Sequence, residues 1–566
     1  MINPNIQWSF ILAQQFRYLD IEDIVICSGS RNSPLTLAFN DIENFNCHSF
    51  IDERSAAFFA IGLAKNSYKP VILISTSGTA VGNFYPAIME AKHANIPLIV
   101  ITADRSHEER LYGANQTTDQ IKIYGDKVKW FVDLATPSNL NGVDIKLYLK
   151  KIAAQAYEHS MFDTNGPVHI NFPFRKPLEP TQLDLTEYRI DFKPIKVILP
   201  EYTFDSKYIK SLIDRCTSSS FPILLLGPDA HREISKDVLT KFVSQLNLTV
   251  FVDPLSGFKS DISDRFILNY DVILAKHDDL PTPDLIIQIG MMPISSVLQN
   301  WLSKYKHDWI IISNNSNFRD SISKSNIWYK AHPNSFFSQT PITSIENEPN
   351  QSVKPWIEKN QFYSKYLDVE LKKYPNFEGS ILFELMQKMT NCQLIIGNSS
   401  IPRLIGEFIS KMDSSIVINS MRGLSGIDGM VSYSLGHSLN FHASNFLLIG
   451  DLSFIHDLNS LLFMKQNNIS MHIVIINNNG GGIFERLPIS KFDPPYEKFL
   501  FHKHNLNFEN IAKSFNIPYL KIESMTKVSL DSFNKNIVNN NQSITEILTN
   551  AKTSEKIRRE LLSNKS

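Results

Sequence analysis

Cysteine is scarce in this chain of 566 residues, which has only Cys27, Cys47, Cys216 and Cys392. The four are scattered, without a CxxC pair or a metal-ligand spacing, so we expect isolated buried thiols in a reducing cytoplasm. An excess of charge is also lacking, because 56 Lys and Arg residues face 57 Asp and Glu residues. No global field therefore attracts nucleic acid or an anionic membrane, and any anion site must be local.

Long apolar runs and targeting segments are lacking too. No apolar stretch reaches about 18 residues, so we expect no membrane span. The N-terminal sequence MINPNIQWSF has no basic segment followed by an apolar run, so we do not expect it to be a signal peptide. These absences favour a soluble cytoplasmic protein that neither binds nucleic acid nor inserts stably into a membrane.

What the sequence does contain is a repeated alternation of short β-branched runs with helical patterns. This alternation predicts α/β domains, each with a mostly parallel sheet covered by helices. The chain is too long for one core, and polar, proline-containing stretches at residues 172–202 and 341–356 read as linkers. We therefore expect three domains, at residues 1–185, 186–345 and 346–566, which suggest duplication of one architecture. The tail after Thr545 is expected to fray.

Twelve runs are expected to be strands of these sheets. They are IEDIVICSGS, KPVILISTSG, PLIVITADR and GPVHINFP in the first domain, FPILLLGPDA, LTVFVDP, DLIIQIG and DWIIISNN in the second, and QLIIGNSS, SIVINS, NFLLIGDLS and MHIVIINNNGGG in the third.

The strongest local signal is a Gly-Asp at the end of one predicted strand and an Asn-Asn at the end of the next. Asp451 and Asn478 would meet at one edge of the sheet, because right-handed βαβ connections place both strands' carboxyl ends there. A carboxylate and an amide oxygen suit a hard cation that keeps diphosphate oxygens as further ligands. A helix beginning near residues 452–454 adds a positive dipole end. Taken singly, Asp451 could merely cap that helix and Asn478 merely turn a loop.

A second candidate is Glu53, in the first turn of a helix predicted for ERSAAFFAIGLAK. Asp52 can be its N-cap, and the rest of the helix is almost entirely apolar. A carboxyl group in apolar surroundings favours sharing a proton, which suits a catalytic acid. Alone, Glu53 would be an ordinary first-turn acid favoured by the helix dipole.

Four arginines follow strand-like runs: Arg31, Arg105, Arg403 and Arg422. The planar fork of arginine is the best match to a carboxylate. Each one alone could be a surface residue. Four at equivalent topological positions in a nearly neutral chain indicate highly anionic substrates.

These segments together resemble a known family. The GDL and NN pair is similar to the GDG and NN motif of thiamine-diphosphate enzymes, with Leu452 in place of the second glycine. The segments SGSRNSPLTLAF, IDERSAAFFAIGLAK, TSGTAVGNFYPAIMEA, ITADR, GANQTTDQ, RGLSGIDG, GDLSFIHDLN and NNNGGGIF are similar to those of the 2-succinyl-5-enolpyruvyl-6-hydroxy-3-cyclohexene-1-carboxylate synthases of menaquinone biosynthesis. The resemblance covers roughly residues 1–180 and 377–548 and is much weaker between them.

The resemblance implies a thiamine-diphosphate-binding fold and a carboligase. Its reaction would be the decarboxylation of 2-oxoglutarate and the conjugate addition of the resulting succinyl carbanion to isochorismate. The implied cofactors are thiamine diphosphate and Mg²⁺ or Mn²⁺. The implied assembly is a homodimer or a dimer of dimers, with each active site between the first domain of one subunit and the last domain of another.

Carried over residue by residue, the resemblance also implies roles. Glu53 would activate the cofactor, and Asp451, Asn478 and the backbone of Gly480 would hold the metal. Ile427 would support the bent cofactor, although a bulky aliphatic residue also has an ordinary core reading. The remaining implied residues bind substrate, with Phe484 on the apolar side of the pocket: Arg31, Arg105, Gln116, Ser399, Arg403, Arg422 and Phe484.

One departure and several alternatives stay open. The family usually has a basic residue or pair in the middle-domain loop after IIQIG, where this chain has Ser295 and Ser296. Either the four arginines take over carboxylate recognition, or Lys304 or another nearby cation does. The alternative functions are an acetolactate-synthase-like carboligase or another thiamine-dependent 2-oxo-acid decarboxylase, and a catalytically dead scaffold subunit. A flavin enzyme is a further alternative, for which LLLGPDA is too weak a phosphate loop.

Overall fold

The computed structural model describes residues 2–138, 144–180, 184–191, 193–200, 204–258, 263–315, 317–338, 351–441 and 443–563. These residues form three six-stranded sheets whose paired strands are all parallel. The predicted fold class, parallel-sheet α/β domains, is confirmed.

The first sheet has the strand order β2-β1-β3-β4-β6-β5. Its strands and the helices around it are α1 Pro4–Tyr18, β1 Asp23–Cys27, α2 Ser33–Asp41, β2 Asn46–Phe50, α3 Glu53–Ser67, β3 Val71–Ser75, α4 Thr79–Asn83, α5 Tyr85–Ala94, β4 Leu98–Arg105, β5 Phe131–Asp133, α6 Ile145–Met161 and β6 Pro167–Phe174.

The second sheet has the order β12-β11-β10-β7-β8-β9. Its elements are α7 Ser206–Ser218, β7 Pro222–Leu226, α8 Lys236–Leu246, β8 Thr249–Val252, β9 Phe266–Ile267, α9 Tyr270–Lys276, β10 Leu285–Ile289, α10 Ser296–Ser303, β11 Asp308–Ile312, β12 Ile327–Tyr329 and α11 Pro333–Ser338.

The third sheet has the order β14-β13-β15-β16-β18-β17, the same topology as the first. Its elements are α12 Lys354–Glu370, α13 Glu378–Met386, β13 Cys392–Ile396, α14 Ser400–Phe408, β14 Val417–Ser420, α15 Met430–Ser438, β15 Ser444–Gly450, α16 Asp451–Ile455, α17 Ser460–Gln466, β16 Met471–Asn477, α18 Phe508–Ser514, β17 Tyr519–Ile522, α19 Lys527–Asn539, β18 Gln542–Leu548 and α20 Ala551–Ser563.

A single repeated architecture is therefore found in the outer sheets, whereas the middle sheet has a different strand order. Strand order reverses between β1 and β3 in the first sheet and between β13 and β15 in the third. Ligands of open parallel sheets bind outside the carboxyl ends of the strands at such reversals. The loops after β1, β3, β13 and β15, together with the loop after β16 beside β15, are thus the places to look for a site.

The chain divides into two compact units. The first comprises Met1–Pro200, Met421–Asn440 and His456–Ile469, and the second comprises Glu201–Ser420, Phe441–Ile455 and Ser470–Ser566. Helices α15 and α17 therefore belong to the unit of the first sheet. The predicted domain boundaries remain predictions, and the one at residues 345/346 lies outside the described residues.

Helices α3 and α15 pack closely inside the first unit, and two glycines allow the close approach. A Cβ on Gly62 would lie 2.1 Å from the carbonyl oxygen of Tyr433, and one on Gly436 would lie 2.1 Å from that of Phe59. The apolar helix predicted after Glu53 is thus buried against a second helix, with its residues from Ser55 to Lys65 shielded from solvent.

In the second unit, the middle and third sheets share one hydrophobic core. A single cluster includes Phe251 and Trp301 of the middle sheet's layer and Leu448 and Ile547 of the third sheet. The opposite face of the middle sheet has a core of its own, which contains Leu224 and Ile287. Among the described residues no helix is long and apolar enough to cross a membrane.

Two expectations about irregular segments need correction. The tail after Thr545 does not fray over the described residues, because β18 runs to Leu548 and α20 follows with Leu561 buried. The predicted linker 172–202 begins inside β6 and then packs along α1, where Asn5 Nδ2 donates to the carbonyl of Pro177 at 2.9 Å. Most of the second predicted linker, 341–350, lies outside the described residues.

Candidate active site

Glu53 is the first residue of α3, as predicted. Asp52 caps the helix by accepting a hydrogen bond of 3.0 Å from the backbone N–H of Ser55. Glu53 itself is half-buried, and its Oε2 accepts a bond of 3.4 Å from Asn83 Nδ2. Burial, with the nearby carboxylates of Glu53 and Asp52, raises the pKa of the Cys27 thiol at the end of β1. Because β2 ends at Phe50, Glu53 lies just beyond the carboxyl end of a strand of the first sheet.

A buried carboxylate anchors the start of α3. Asp457 accepts hydrogen bonds from the Ser55 hydroxyl at 2.9 Å, the Ser432 backbone N–H at 2.7 Å and the Ser460 hydroxyl at 2.7 Å. Burial raises the pKa of Asp457, and these donors oppose the rise. No sequence motif indicated Asp457, which ties the first turn of α3, after Glu53, to the starts of α15 and α17.

Arg31 and Arg105, predicted to bind substrate, point at the same carboxylate. Glu109 Oε2 lies 3.6 Å from Arg31 Nη2 and 3.4 Å from Arg105 Nη1. Arg31 also donates to the carbonyl of Phe174 at 2.8 Å, and Arg105 to that of Asn115 at 2.6 Å. Arg31 is only 4% exposed, and the buried Arg105 Nε has no hydrogen-bond partner.

Gln116 lies on a neighbouring exposed turn with a φ of 55°. Its Nε2 donates to the carbonyl of Ser77 at 3.1 Å, and the Ser77 hydroxyl returns a bond of 2.8 Å to the Gln116 carbonyl. This exchange joins Gln116 to the loop that follows β3, next to the strand-order reversal.

Arg422 and Ile427 lie on the segment before α15, and both are half-buried. Glu90 of α5 holds this segment by accepting from the backbone N–H groups of Gly423 at 2.7 Å and Leu424 at 2.6 Å. Burial raises the pKa of Glu90, and these two bonds and the Arg422 charge lower it. Arg422 is thus near a buried acid that sequence reasoning missed.

In the second unit, Asp451 and Asn478 follow adjacent strands. Strands β15 and β16 pair in parallel, with Gly450 opposite Ile476. Asp451 is buried, and its Oδ2 accepts from the Gly480 backbone N–H at 2.9 Å. The predicted proximity of these residues at one sheet edge is what the strand order produces.

The amide of Asn478 is held in one orientation by Glu378. Its Nδ2 donates to Glu378 Oε1 at 3.0 Å, and Thr549 donates its hydroxyl to the same oxygen at 3.0 Å. The Oδ1 of Asn478 is buried and has no hydrogen-bond partner. A buried acceptor without a partner is costly, so this oxygen has the surroundings expected of a cation ligand.

His504 contacts the same oxygen of Asp451 as the Gly480 N–H does. Its Nε2 lies 3.3 Å from Asp451 Oδ2, and its ring stacks on Phe508 with centroids 5.4 Å apart. Gly480 permits the tight loop, since a Cβ there would be 2.3 Å from the carbonyl oxygen of Phe501. Over the described residues no cluster of three or more His, Cys, Asp or Glu residues could hold a metal. The Asp451 and Asn478 pair contributes only one such residue and relies on amide and backbone oxygens.

A cavity of about 480 Å³ in the second unit brings Arg403 and Phe484 together. Arg403 Nη1 donates to the carbonyl of Ser399 at 2.6 Å, which links two of the predicted residues. Apolar and charged side chains share the lining, which consists of Pro254, Tyr270, Asp271, Ile294, Ser295, Ser296, Val297, Arg403, Gly406, Glu407, Ile483, Phe484, Arg486, Leu487 and Arg558.

The serines of the middle-domain loop line this cavity but bring no charge. The Ser295 hydroxyl caps α10 by accepting from the Leu298 N–H at 3.0 Å, and it donates to Asp271. Lys304 is exposed and is not part of the lining. The additional cations are instead Arg486 and Arg558, which sequence reasoning missed.

Arg486 and Arg558 share acidic partners. Arg558 holds Glu407 through its Nε, at 2.8 Å from Oε2, while Arg486 Nη1 makes a longer contact of 3.3 Å to the other Glu407 oxygen. Glu555 of α20 lies 3.9 Å from Arg486 Nε. Since Arg558 makes the shorter contact with Glu407, the guanidinium of Arg486 is the one held more weakly by its acidic partners.

Comparison with known proteins identifies the outer sheets. Residues 7–123 match the family model "Thiamine pyrophosphate enzyme, N-terminal TPP binding domain", and residues 408–543 match "Thiamine pyrophosphate enzyme, C-terminal TPP binding domain". The cofactor is therefore thiamine diphosphate, as predicted.

Solved structures share the fold at low sequence identity. Benzoylformate decarboxylase from Polynucleobacter necessarius superimposes with a TM-score of 0.72 at 17% identity, covering 96% of this chain and 98% of that one. A thiamine diphosphate-dependent 4-hydroxybenzoylformate decarboxylase from Rhodococcus jostii gives 0.71 at 14% identity, covering 96% and 98%. These likenesses concern the fold alone.

Sequence relatives are closer and carry one name. The 2-succinyl-5-enolpyruvyl-6-hydroxy-3-cyclohexene-1-carboxylate synthase of Bacillus pumilus is 34% identical over 92% of this chain and 91% of its own length. That of Listeria welshimeri is 35% identical over 94% and 92%. The predicted family and enzyme class are confirmed: the chain belongs to the 2-succinyl-5-enolpyruvyl-6-hydroxy-3-cyclohexene-1-carboxylate synthases, a family of thiamine-diphosphate enzymes.

Proposed function

We propose that this chain decarboxylates 2-oxoglutarate and adds the succinyl carbanion to isochorismate, a step of menaquinone biosynthesis in the cytoplasm. The observation that carries the site is the pair Asp451 and Asn478 after adjacent strands, with Asn478 Oδ1 buried and unpartnered. When bound, thiamine diphosphate supplies a nucleophilic carbon and an electron sink for the decarboxylation.

The chain's own groups divide the remaining work. Glu53 would hold the pyrimidine end of thiamine diphosphate and would supply the acid that activates it, and the Asp457 contacts hold the start of the helix that carries Glu53. Ile427 would support the bent cofactor. In the second unit, Asp451, Asn478 and the backbone of Gly480 would hold Mg²⁺ or Mn²⁺, whose oxygen preference matches these ligands.

The arginines recognise the carboxylates of the substrates. Arg31, Arg105, Arg403 and Arg422 provide planar donors, Gln116 and Ser399 bind hydroxyl or carboxyl oxygens, and Phe484 lines the apolar side. In the cavity beside Ser295 and Ser296, Arg486 supplies the cation that the middle-domain loop lacks. This role is supported by its place in the same lining as Arg403 and Phe484.

The reaction is tested by following isochorismate absorbance with thiamine diphosphate and Mg²⁺ present. Loss of absorbance should require 2-oxoglutarate, whereas release of carbon dioxide from pyruvate without turnover of 2-oxoglutarate would support an acetolactate-synthase-like enzyme or another decarboxylase. Glu53→Gln should remove nearly all turnover and leave the fold intact. The matched control is Glu43→Gln, which changes an exposed carboxylate ten residues earlier. Full activity of Glu53→Gln would refute the assignment.

The metal ligands are tested by binding of Mn²⁺, followed by electron paramagnetic resonance in the presence of thiamine diphosphate. Asn478→Ala should weaken Mn²⁺ binding, roughly 10- to 100-fold if the loss resembles that of other metal-site partners. Asn479→Gly is the control, because Asn479 has a φ of 64° that glycine adopts freely. Equal Mn²⁺ affinity in both variants would contradict the site.

We further propose a homodimer or dimer of dimers whose active sites combine the first domain of one subunit with the last domain of another. Mixing the inactive variants Glu53→Gln and Asp451→Asn and allowing subunits to exchange should then restore activity, because one site of each mixed dimer has both native residues. No recovery after exchange would place each site within one subunit.

A further inference from the structure

We propose that Glu109 is a built-in occupant of the carboxylate site formed by Arg31 and Arg105, and that substrate binds by displacing it. The inference rests on the proposed role of these two arginines. It adds a residue that decides how tightly a carboxylate substrate is held.

Arg31 and Arg105 form a two-arginine clamp, and this clamp already holds a carboxylate, that of Glu109. Two guanidinium groups approach one oxygen, Glu109 Oε2, with Nη2 of Arg31 at 3.6 Å and Nη1 of Arg105 at 3.4 Å. Arg105 is the last residue of β4 and Arg31 lies in the segment after β1, and these two strands are separated by β3 in the sheet. Side chains from separate strands converging on one oxygen define a position where a carboxylate is favoured.

Burial explains why the clamp needs an occupant. Arg31 is 4% exposed, and besides its contact with Glu109 it donates to the neutral carbonyl of Phe174. An unpaired guanidinium at such a position is costly, because a buried charge without a counter-charge loses its hydration. Glu109 neutralises the pair when substrate is absent.

The contact between Glu109 and the two arginines is also weak enough for a substrate carboxylate to replace it. Both Arg–Glu distances exceed those of a close charge-assisted hydrogen bond, and the Glu109 side chain is 32% exposed, so rotation about its own bonds carries it into water. Arg105 Nε remains buried without a partner while Glu109 is in place. A substrate carboxylate that reaches this donor as well would satisfy more of the clamp than Glu109 does.

The turn that carries Glu109 is held in place, because the Glu109 N–H donates to the carbonyl of Ser106 at 2.9 Å and the next residue, Arg110, is paired with two carboxylates. Arg110 Nη2 lies 2.8 Å from the buried Asp104, and Arg110 Nη1 lies 3.1 Å from Asp133 Oδ2. Displacement therefore requires a change of one side chain rather than of the loop. Substrate binding becomes an exchange of one carboxylate for another, and the affinity reflects the difference between them.

The decisive variant is Glu109→Gln in the full enzyme with thiamine diphosphate and Mg²⁺. Removing the competing charge should raise kcat/KM for 2-oxoglutarate or isochorismate roughly two- to fivefold through a lower KM, the size expected for a partly exposed charge pair. A gain of this kind does not arise from structural damage. Glu108→Gln is the matched control, since Glu108 makes the same charge change on the same turn but pairs with the exposed Arg175.

A thermal-shift measurement separates displacement from a purely structural role. Without substrate, Glu109→Gln should melt below the native protein, because Arg31 loses its counter-charge. Addition of 2-oxoglutarate or isochorismate should then raise its Tm more than that of the native protein. Unchanged or higher KM values for both substrates, or an equal gain in Glu108→Gln, would overturn the inference. Absence of turnover in the native enzyme would instead count against the proposed function.

Discussion

Replacement of Asp271 by asparagine is expected to change how the stability of the second unit depends on pH. Asp271 lies in α9 and lines the cavity that also contains Arg403 and Phe484. It accepts a hydrogen bond from the hydroxyl of Ser295. Burial, reinforced by the charge of Glu407, raises the pKa of Asp271 to about 7. In the unfolded chain the same carboxyl has a pKa of about 3.9. The folded protein therefore keeps a proton that the unfolded chain releases.

The sign of the effect follows from this difference. Between about pH 4 and pH 7 the folded state binds more protons than the unfolded state, so stability falls as the pH rises through this window. Each pKa unit corresponds to about 1.4 kcal/mol, which gives a total of roughly 4 kcal/mol above pH 7. About 2 to 3 kcal/mol of that total falls between pH 5 and pH 8. Asparagine keeps an acceptor for the Ser295 hydroxyl but cannot ionise.

Thermal unfolding of Asp271→Asn and the native protein at pH 5 and pH 8 tests this reasoning. The Tm of Asp271→Asn minus that of the native protein should be larger at pH 8 than at pH 5. The protection of α9 amides from hydrogen exchange, compared between the same two proteins, should change in the same direction. Asp279→Asn, at an exposed position eight residues later, should give the same Tm difference at both pH values. A Tm difference for Asp271→Asn that is equal at both pH values, or that decreases at pH 8, would refute the argument.

Two further predictions concern packing and acid stability. Gly436→Ala should destabilise the first unit by about 1–3 kcal/mol, because the new Cβ would overlap the Phe59 carbonyl at the α3–α15 contact; Gly82→Ala, where nothing lies within 4 Å, should leave Tm nearly unchanged. Burial lowers the pKa of His472 to about 4, so its stabilising contribution is present above about pH 6.5 and is lost as the pH falls towards 4. His472→Gln should therefore lose less Tm than the native protein between pH 7.5 and pH 5, and an equal loss would contradict this.

The twelve strands expected from the sequence are all present, and the described residues contain six further strands that were missed. Five of them are sheet edges, namely β2, β5, β9, β12 and β17. Edge strands are covered on fewer sides than central ones and need no continuous apolar run. The sixth, β18, is inside the third sheet but buries polar residues such as Glu546, which accepts from Asn477 and Tyr519. Composition alone did not distinguish this strand from a frayed tail.

The sequence was enough to predict candidate residues that lie in a recognisable motif. It was not enough to predict residues that are distant in sequence and orient those candidates through a hydrogen bond. Asp451 and Asn478 could be placed together because parallel strands end at a common edge. Glu378 is 100 residues away from Asn478 in the chain, and no local pattern marks it as the acceptor that fixes the amide. Residues that orient a ligand are found through the fold rather than through motif spacing.

The same distinction explains the cavity and the clamp. The middle-domain loop lacks the expected cation. The cavity beside it is nevertheless lined by positive charge, because Arg486 and Arg558, which are distant in sequence, contribute to its lining. Likewise Glu109 was not a candidate, since four residues after Arg105 an acid is an ordinary neighbour. Only the fold shows that its carboxylate lies against Arg31 as well. Charge balance in a buried site is a property of all the groups that converge there, so a missing or additional charge at one position is compensated from segments that the sequence alone does not bring together.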